Sequence, residues 1–138
     1  MGLFYLLLTD FLYALVALFA RGYFAGEEAW RFYWSGALFL APVHGAYLAH
    51  NLGVLWVFVE GSTLASALLI YHRGGARALE ATWKYLMLGS VGIALGLLGV
   101  ILVYALVGGA TLDWAHAKAL MPGVNAEGLR VAFALLLV

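Results

Sequence analysis

Residues 52–71 read LGVLWVFVEGSTLASALLIY, an almost unbroken apolar run interrupted by one acidic residue, Glu60. A helix over that stretch rises about 1.5 Å per residue and is about 30 Å long, the thickness of a bilayer's hydrocarbon core. The run begins at a tight turn made by His50, Asn51 and Gly53, and it closes on His72, Arg73, Gly74, Gly75, Arg77 and Glu80. It is the length of one crossing.

Further runs flank it on both sides. Upstream lie an apolar segment at 3–20, carrying the isolated Asp10, and an aromatic-rich segment at 32–48 broken by Pro42. A short polar break at 21–31 separates them, with Glu27 and Glu28. Downstream, 81–107 is long enough to cross with some tilt. A mixed loop follows at 108–127, with Asp113, Trp114, His116, Lys118 and a Pro122–Gly123 turn signal. Apolar sequence resumes at 128–138, where eleven residues make only about 16 Å of helix, so this reading expects a chain cut through its fifth helix. The expected fold is an all-α integral membrane bundle: one transmembrane helical domain over 1–138, with about four transmembrane helices plus a truncated fifth.

Composition agrees. Of 138 residues 66% are hydrophobic and 10% charged, with mean hydropathy +1.00. A soluble domain is nearer half apolar and a quarter charged. Seven Lys+Arg balance seven Asp+Glu, which leaves no basic surface for nucleic acid. With no cysteine, the chain supplies no disulfide, iron–sulfur or thiolate metal site. The first run follows Met1 without a basic stretch and carries Asp10, so it does not read as a cleavable signal. No cofactor or metal is expected. In a haem-carrying bundle paired histidines serve as axial ligands. Here His50 and His72 mark opposite ends of one span and His116 is in a loop, which leaves His44 deep and without a histidine partner.

Basic residues orient the bundle. If the helices alternate, 21–31 and 72–80 share one side, with Arg21, Arg31, Arg73 and Arg77. Outside the helices the other side has Lys118. The expectation is arginine loops in the cytoplasm, a multi-pass protein of the cell inner (plasma) membrane, and the N-terminus outside.

Ionisable groups inside the spans are the candidate site. Glu60 lies near mid-depth, where an acidic residue costs about 2.5–3.5 kcal/mol or more on insertion scales. It either takes up a proton or faces a polar interior with a cationic partner. Thr63, three residues on, and the nearby Ser62 and Ser66 suggest a polar, hydrated face; the bland alternative is a carboxylate that pins two helices together. Lys84, in EATWKYLMLGS at the cytoplasmic start of the next helix, either snorkels to the headgroups or turns inward as a titratable amine. His44 sits at mid-depth two residues past Pro42, where it either relays protons or bonds a freed carbonyl. Asp10 is a helix-interface anchor or part of an outer water path. Gly89, Gly92, Gly96 and Gly99 form a bare helix stripe for close packing, and Trp30, Trp34, Trp83 and Trp114 fall near helix ends as interfacial belts do.

The stretches NLGVLWVFVEGSTLASALL (51–69) and ALEATWKYLMLGSVGIALGLLGVILVY (78–104) resemble the antiporter-like proton-pumping membrane subunits. These belong to respiratory complex I, membrane-bound hydrogenases and Mrp-type multisubunit cation/proton antiporters. The hydrogenase-4 type is the nearest in character, and agreement runs on through YFAGEEAWRFYW (23–34) to LRVAFALLLV (129–138). The resemblance implies a fold of about fourteen helices in two inverted repeats, of which this chain would match the third to sixth and the start of the seventh. Glu60 would correspond to the essential glutamate of the first repeat and Lys84 to the lysine opening the next helix. The lysine that pairs with the family glutamate would fall beyond Val138, so this chain alone lacks a complete channel.

The expected function is therefore a proton-translocating membrane subunit, or a fragment of one, in a complex I-like or hydrogenase-type redox-driven pump. It would be a non-catalytic subunit of an oxidoreductase complex, with the bilayer and other membrane subunits as partners. Protons are its ion, with sodium as the alternative. Glu60 would load from the cytoplasmic side, an approaching cation favouring the carboxylate and a withdrawing one the acid. The competing readings are a cation/proton antiporter subunit without a redox partner and a structural membrane scaffold.

Overall fold

The computed structural model describes residues 2–137 and is helical almost throughout. Its helices are α1 (Gly2–Tyr23), α2 (Gly26–Leu48), α3 (Leu52–Ile70), α4 (Ala76–Leu106), α5 (Trp114–Leu120) and α6 (Ala126–Leu136), with a 3-10 turn at Met121–Gly123. The long helices pack in chain order as an antiparallel row: α1 on α2, α2 on α3, α3 on α4, and α4 on α6.

By length and composition α1, α3 and α4 are each able to cross a membrane. The sequence reading expected four such spans. With 23 residues α2 is long enough, at about 34 Å, but Glu27, Glu28 and Arg31 in its first turns and Pro42 and His44 further on make it more polar than the others. It begins at Gly26 rather than near residue 32 because those charges lie outside the apolar stretch yet remain helical, Arg31 reaching Glu27 one turn back at 3.7 Å. It also continues through Pro42 as one helix.

The loop read at 108–127 contains α5. Asp113 caps it, its Oδ1 accepting from the His116 amide at 3.1 Å. The same loop is pinned to the α2–α3 turn by two backbone hydrogen bonds, Leu52 N–H to Leu112 O and Trp114 N–H to His50 O, both 2.9 Å. That isolated antiparallel bridge between Asn51 and Asp113 puts the two connections at one end of the bundle. At the other end Gly74 and Gly75 turn the chain from α3 into α4 with φ of 69° and 89°, which residues bearing a Cβ rarely adopt. Arg73 there lies over the rings of Tyr23 and Phe24, 5.5 and 5.9 Å from their centroids.

The interior is small. Leu52, Val100, Val103 and Ala132 form its buried centre, ringed by partly buried Leu55, Trp56, Leu106 and Leu136. Most large apolar side chains face outwards, along nearly all of α1 for example. In water that surface would drive aggregation; in lipid it is matched to its solvent, while helices satisfy their backbone groups internally. No polar or charged residue is buried among the described residues. Gly99 lets α6 come close, since a Cβ there would lie 2.9 Å from the Ala132 carbonyl oxygen and 2.9 Å from Leu136 Cγ. Gly89, Gly92 and Gly96 face an open groove of about 450 Å³ between α3 and α4 instead.

Candidate functional site

Glu60 stands eight residues from the start of α3 and ten from its end, about 12 and 15 Å of rise. The helix period divides α3 into three flanks. Phe58 and Gly61 meet Gly45 and Pro42 of α2, while Trp56, Val59 and Thr63 line the groove towards α4. Glu60 lies on the third, with Val57 and Leu64, both exposed, one turn either side of it. It is partly exposed and makes no hydrogen bond or ion pair among the described residues.

The hydroxyl residues near it serve the backbone. Ser62 Oγ and Thr63 Oγ1 both donate to the Val59 carbonyl oxygen, at 2.7 and 3.2 Å. Thr63, one turn on from Glu60, lines the groove towards α4, and Glu60 stands beside that groove rather than among its lining residues. Ser66 reaches further, its hydroxyl lying 2.6 Å from the Tyr85 hydroxyl of α4. This pair aligns α3 with α4 and places Lys84, next to Tyr85, about 9 Å of helix rise nearer the arginine-rich end than Glu60.

Lys84 donates to Glu80 one turn back, and both side chains are exposed. On α4 it shares a face with exposed Val91 two turns on, rather than with the Tyr85 face that meets α3. Within this chain Glu60 and Lys84 are therefore not brought together.

His44 is brought to a carboxylate. Its Nε2 lies 2.8 Å from Asp10 Oδ1 across the α1–α2 seam, and its Nδ1 lies 2.7 Å from the Leu40 carbonyl oxygen. Pro42 frees the Leu38 carbonyl by lacking an N–H, so the carbonyl that His44 bonds is the ordinary one a turn back. The mid-depth placement of His44 is also corrected: only four residues, about 6 Å, separate it from the end of α2 at Leu48. Its seam is built of matched residues running antiparallel. Tyr5 stacks on Tyr47 with centroids 6.2 Å apart, Tyr13 rests on Gly36, and the Tyr33 hydroxyl donates to the Ala17 carbonyl at 3.0 Å.

Sequence reasoning missed His72. Both of its ring nitrogens are buried without a hydrogen-bond partner, the ring standing edge-on to Phe24 and Phe32 with centroids 4.7 and 5.9 Å away. No motif surrounds it, and only the packing of α1 and α2 against the α3 end creates that cage.

No cluster of three or more metal-ligating residues occurs among the described residues. The titratable side chains Asp10, His44, Glu60 and Lys84 stand at different levels along their helices.

Comparison with known proteins agrees in kind. The chain is 39% identical over 111 residues to the hydrogenase-4 component F homolog of Methylacidiphilum infernorum, covering 72% of this chain and 23% of that protein. It is 36% identical over 114 residues to a Na(+)/H(+) antiporter subunit of Bacillus subtilis, covering 81% of this chain and 23% of that one. Among solved structures it is similar to a chain of the membrane-bound sulfane sulfur reductase, an archaeal respiratory membrane complex. There the TM-score is 0.68 at 30% identity, over 74% of this chain and 20% of that one. The chain thus spans about a quarter of the length of the relatives it matches. The NADH:quinone oxidoreductase/Mrp antiporter transmembrane family matches residues 49–138, which take in the Glu60 helix and all of α4, α5 and α6, and the chain belongs to that family.

Proposed function

We propose that this chain is part of a proton-translocating membrane subunit in a redox-driven complex, with Glu60 as its proton-carrying group. The carrying observation is a carboxylic acid half-way along a membrane-spanning helix. Such a group is costly there unless protonated or faced by a cation, and switching between those conditions loads and releases a proton. The α3 flank that carries Glu60 is left open by α2 and α4, so the cation that switches it approaches on that flank from outside these six helices. Lys84 is the amine on the uptake side. The Ser66–Tyr85 hydroxyl pair lies at about the level of Lys84, offering groups that both donate and accept protons. Similarity to a hydrogenase-4 component F homolog and to a chain of a respiratory membrane complex supports the redox-driven setting.

Orientation belongs to the same proposal. Arg21, Arg31, Arg73 and Arg77 gather at the end holding the α1–α2 and α3–α4 connections, against Lys118 and Arg130 at the opposite end. The basic-residue excess supports a reading with the first end in the cytoplasm and the N-terminus outside, in the cell's inner membrane.

Glu60→Gln keeps the size of the side chain and removes its titration. In the assembled complex it abolishes proton translocation while membrane insertion is retained; translocation at the native rate would remove Glu60 from the mechanism. A sodium-coupled reading draws on the similarity to a Na(+)/H(+) antiporter subunit. Sodium-dependent proton flux in vesicles without any redox donor would favour it.

A further inference from the structure

The α1–α2 seam holds a titratable pair that a route through Glu60 and Lys84 does not use. His44 Nδ1 lies 2.7 Å from the Leu40 carbonyl oxygen and Nε2 lies 2.8 Å from Asp10 Oδ1. A carbonyl only accepts, so Nδ1 carries a hydrogen. Two lone pairs repel at 2.8 Å, so one further proton lies between Nε2 and Oδ1. On nitrogen it makes an imidazolium facing a carboxylate; on oxygen, an imidazole facing a carboxylic acid. Both forms are net neutral, and moving the proton from one atom to the other changes no net charge inside the membrane. Removing it leaves one negative charge and adding a second leaves one positive charge, each less favourable between membrane-spanning helices than the neutral pair. The pair therefore holds a single proton and passes it on when another is supplied.

Access comes from one side. Asp10 lies about 12 Å from the start of α1, and His44 about 6 Å from the end of α2, both nearer the α2–α3 turn than the arginine-rich end. The Asp10 side chain is 52% exposed and that of His44 33%, so the carboxylate is the more accessible partner. Its second oxygen makes no hydrogen bond among the described residues, which leaves it free to exchange the proton with an outside donor or acceptor. The neighbouring ionisable groups do not compete for the contact. Tyr5 and Tyr13 on α1 and Tyr47 on α2 present phenol hydroxyls, and none of them bonds Asp10 or His44 among the described residues. Glu60, on α3 beside the Gly61–Pro42 crossing, forms no ion pair with His44 among the described residues.

The geometry points to Asp10 and His44 as a second proton-binding site, exchanging one proton with the side of the membrane that carries the α2–α3 turn. As a step in translocation it rests on the proton-translocating reading above; its capacity to bind a proton does not. Asp10→Asn separates binding from packing. An amide N–H donates to Nε2 of the neutral imidazole, so the helix contact survives while the shared proton is lost. Asp10→Glu restores the carboxyl.

The full-length protein is isolated with its complex, with and without isotope-labelled aspartate, and infrared difference spectra are recorded across pH steps in lipid vesicles. A carboxyl band that shifts with the aspartate label and disappears in Asp10→Asn is expected; in Asp10→Glu a carboxyl band returns that the aspartate label does not shift, and translocation by Asp10→Asn falls towards the passive leak. A spectrum unaltered by Asp10→Asn overturns the site. Loss of the band with translocation at the native rate overturns its place on the proton route. Glu60→Gln is measured alongside: if it too translocates normally, the proton-translocating reading has failed, and the infrared band, which needs no transport, still decides whether the pair binds a proton.

Discussion

Asn51 shows how one side chain holds an end of the candidate site's helix. Its Oδ1 accepts from the amides of Gly53 and Val54 at 2.9 and 3.2 Å, satisfying donors that the first turn of α3 would otherwise leave open beside the membrane. Asn51→Ala removes both bonds and destabilises the chain by about 1 kcal/mol, whereas Asn51→Asp keeps the acceptor and stays within a few tenths. Reversible unfolding in mixed micelles reads the difference. Single residues were also where the sequence was most and least informative. Glu60 and Lys84 stand out in any reading because charge is rare in apolar runs. The Asp10–His44 contact does not, because its partners lie 34 positions apart and nothing local to either announces the other.

Among the elements, α4 carries the glycine stripe, and its glycines do different work. A Cβ at Gly99 would meet the Ala132 carbonyl oxygen at 2.9 Å and the Leu136 amide nitrogen at 3.1 Å, both backbone atoms of α6 that cannot turn away. Gly99→Val therefore forces the α4–α6 crossing apart at a cost of about 1–3 kcal/mol. Gly96→Ala meets nothing within 4 Å and leaves stability unchanged or slightly improved through helix propensity. Equal unfolding midpoints for the two variants would refute this account of the stripe. Its spacing was legible in the sequence, because a helix period is a local property. Which glycine takes a neighbour was not, since that depends on where α6 returns. Helix α5 escaped notice for a related reason: seven residues make too short a periodic signal, and its Asp113 cap becomes recognisable only once the chain is seen to turn there.

Across the whole molecule the row of antiparallel helices defines two ends, and topology can be tested directly because the chain has no cysteine. Ala76, at the start of α4, and Ala110, beyond its end, are both exposed. A membrane-impermeant maleimide added outside intact cells labels Ala110→Cys and leaves Ala76→Cys unlabelled until the membrane is opened; the reverse pattern inverts the orientation. The bridge between Asn51 and Asp113 supports the choice of sites, since it ties the α2–α3 turn and the loop after α4 to one end.

The sequence by itself determined that this is an all-α membrane chain and that a carboxylate occupies mid-span; it located the long helices but put the starts of α2 and α4 near 32 and 81, where the structure begins them at Gly26 and Ala76. Those properties follow from composition and from periods of a few residues, which any reader of the chain can count. The tertiary structure decided which groups meet. It joined Asp10 to His44, left Glu60 on a flank apart from Lys84, and closed an aromatic cage on His72. Such pairings depend on how each helix is rotated about its axis and how far it slides along its neighbour, and in lipid an apolar face imposes little preference on either.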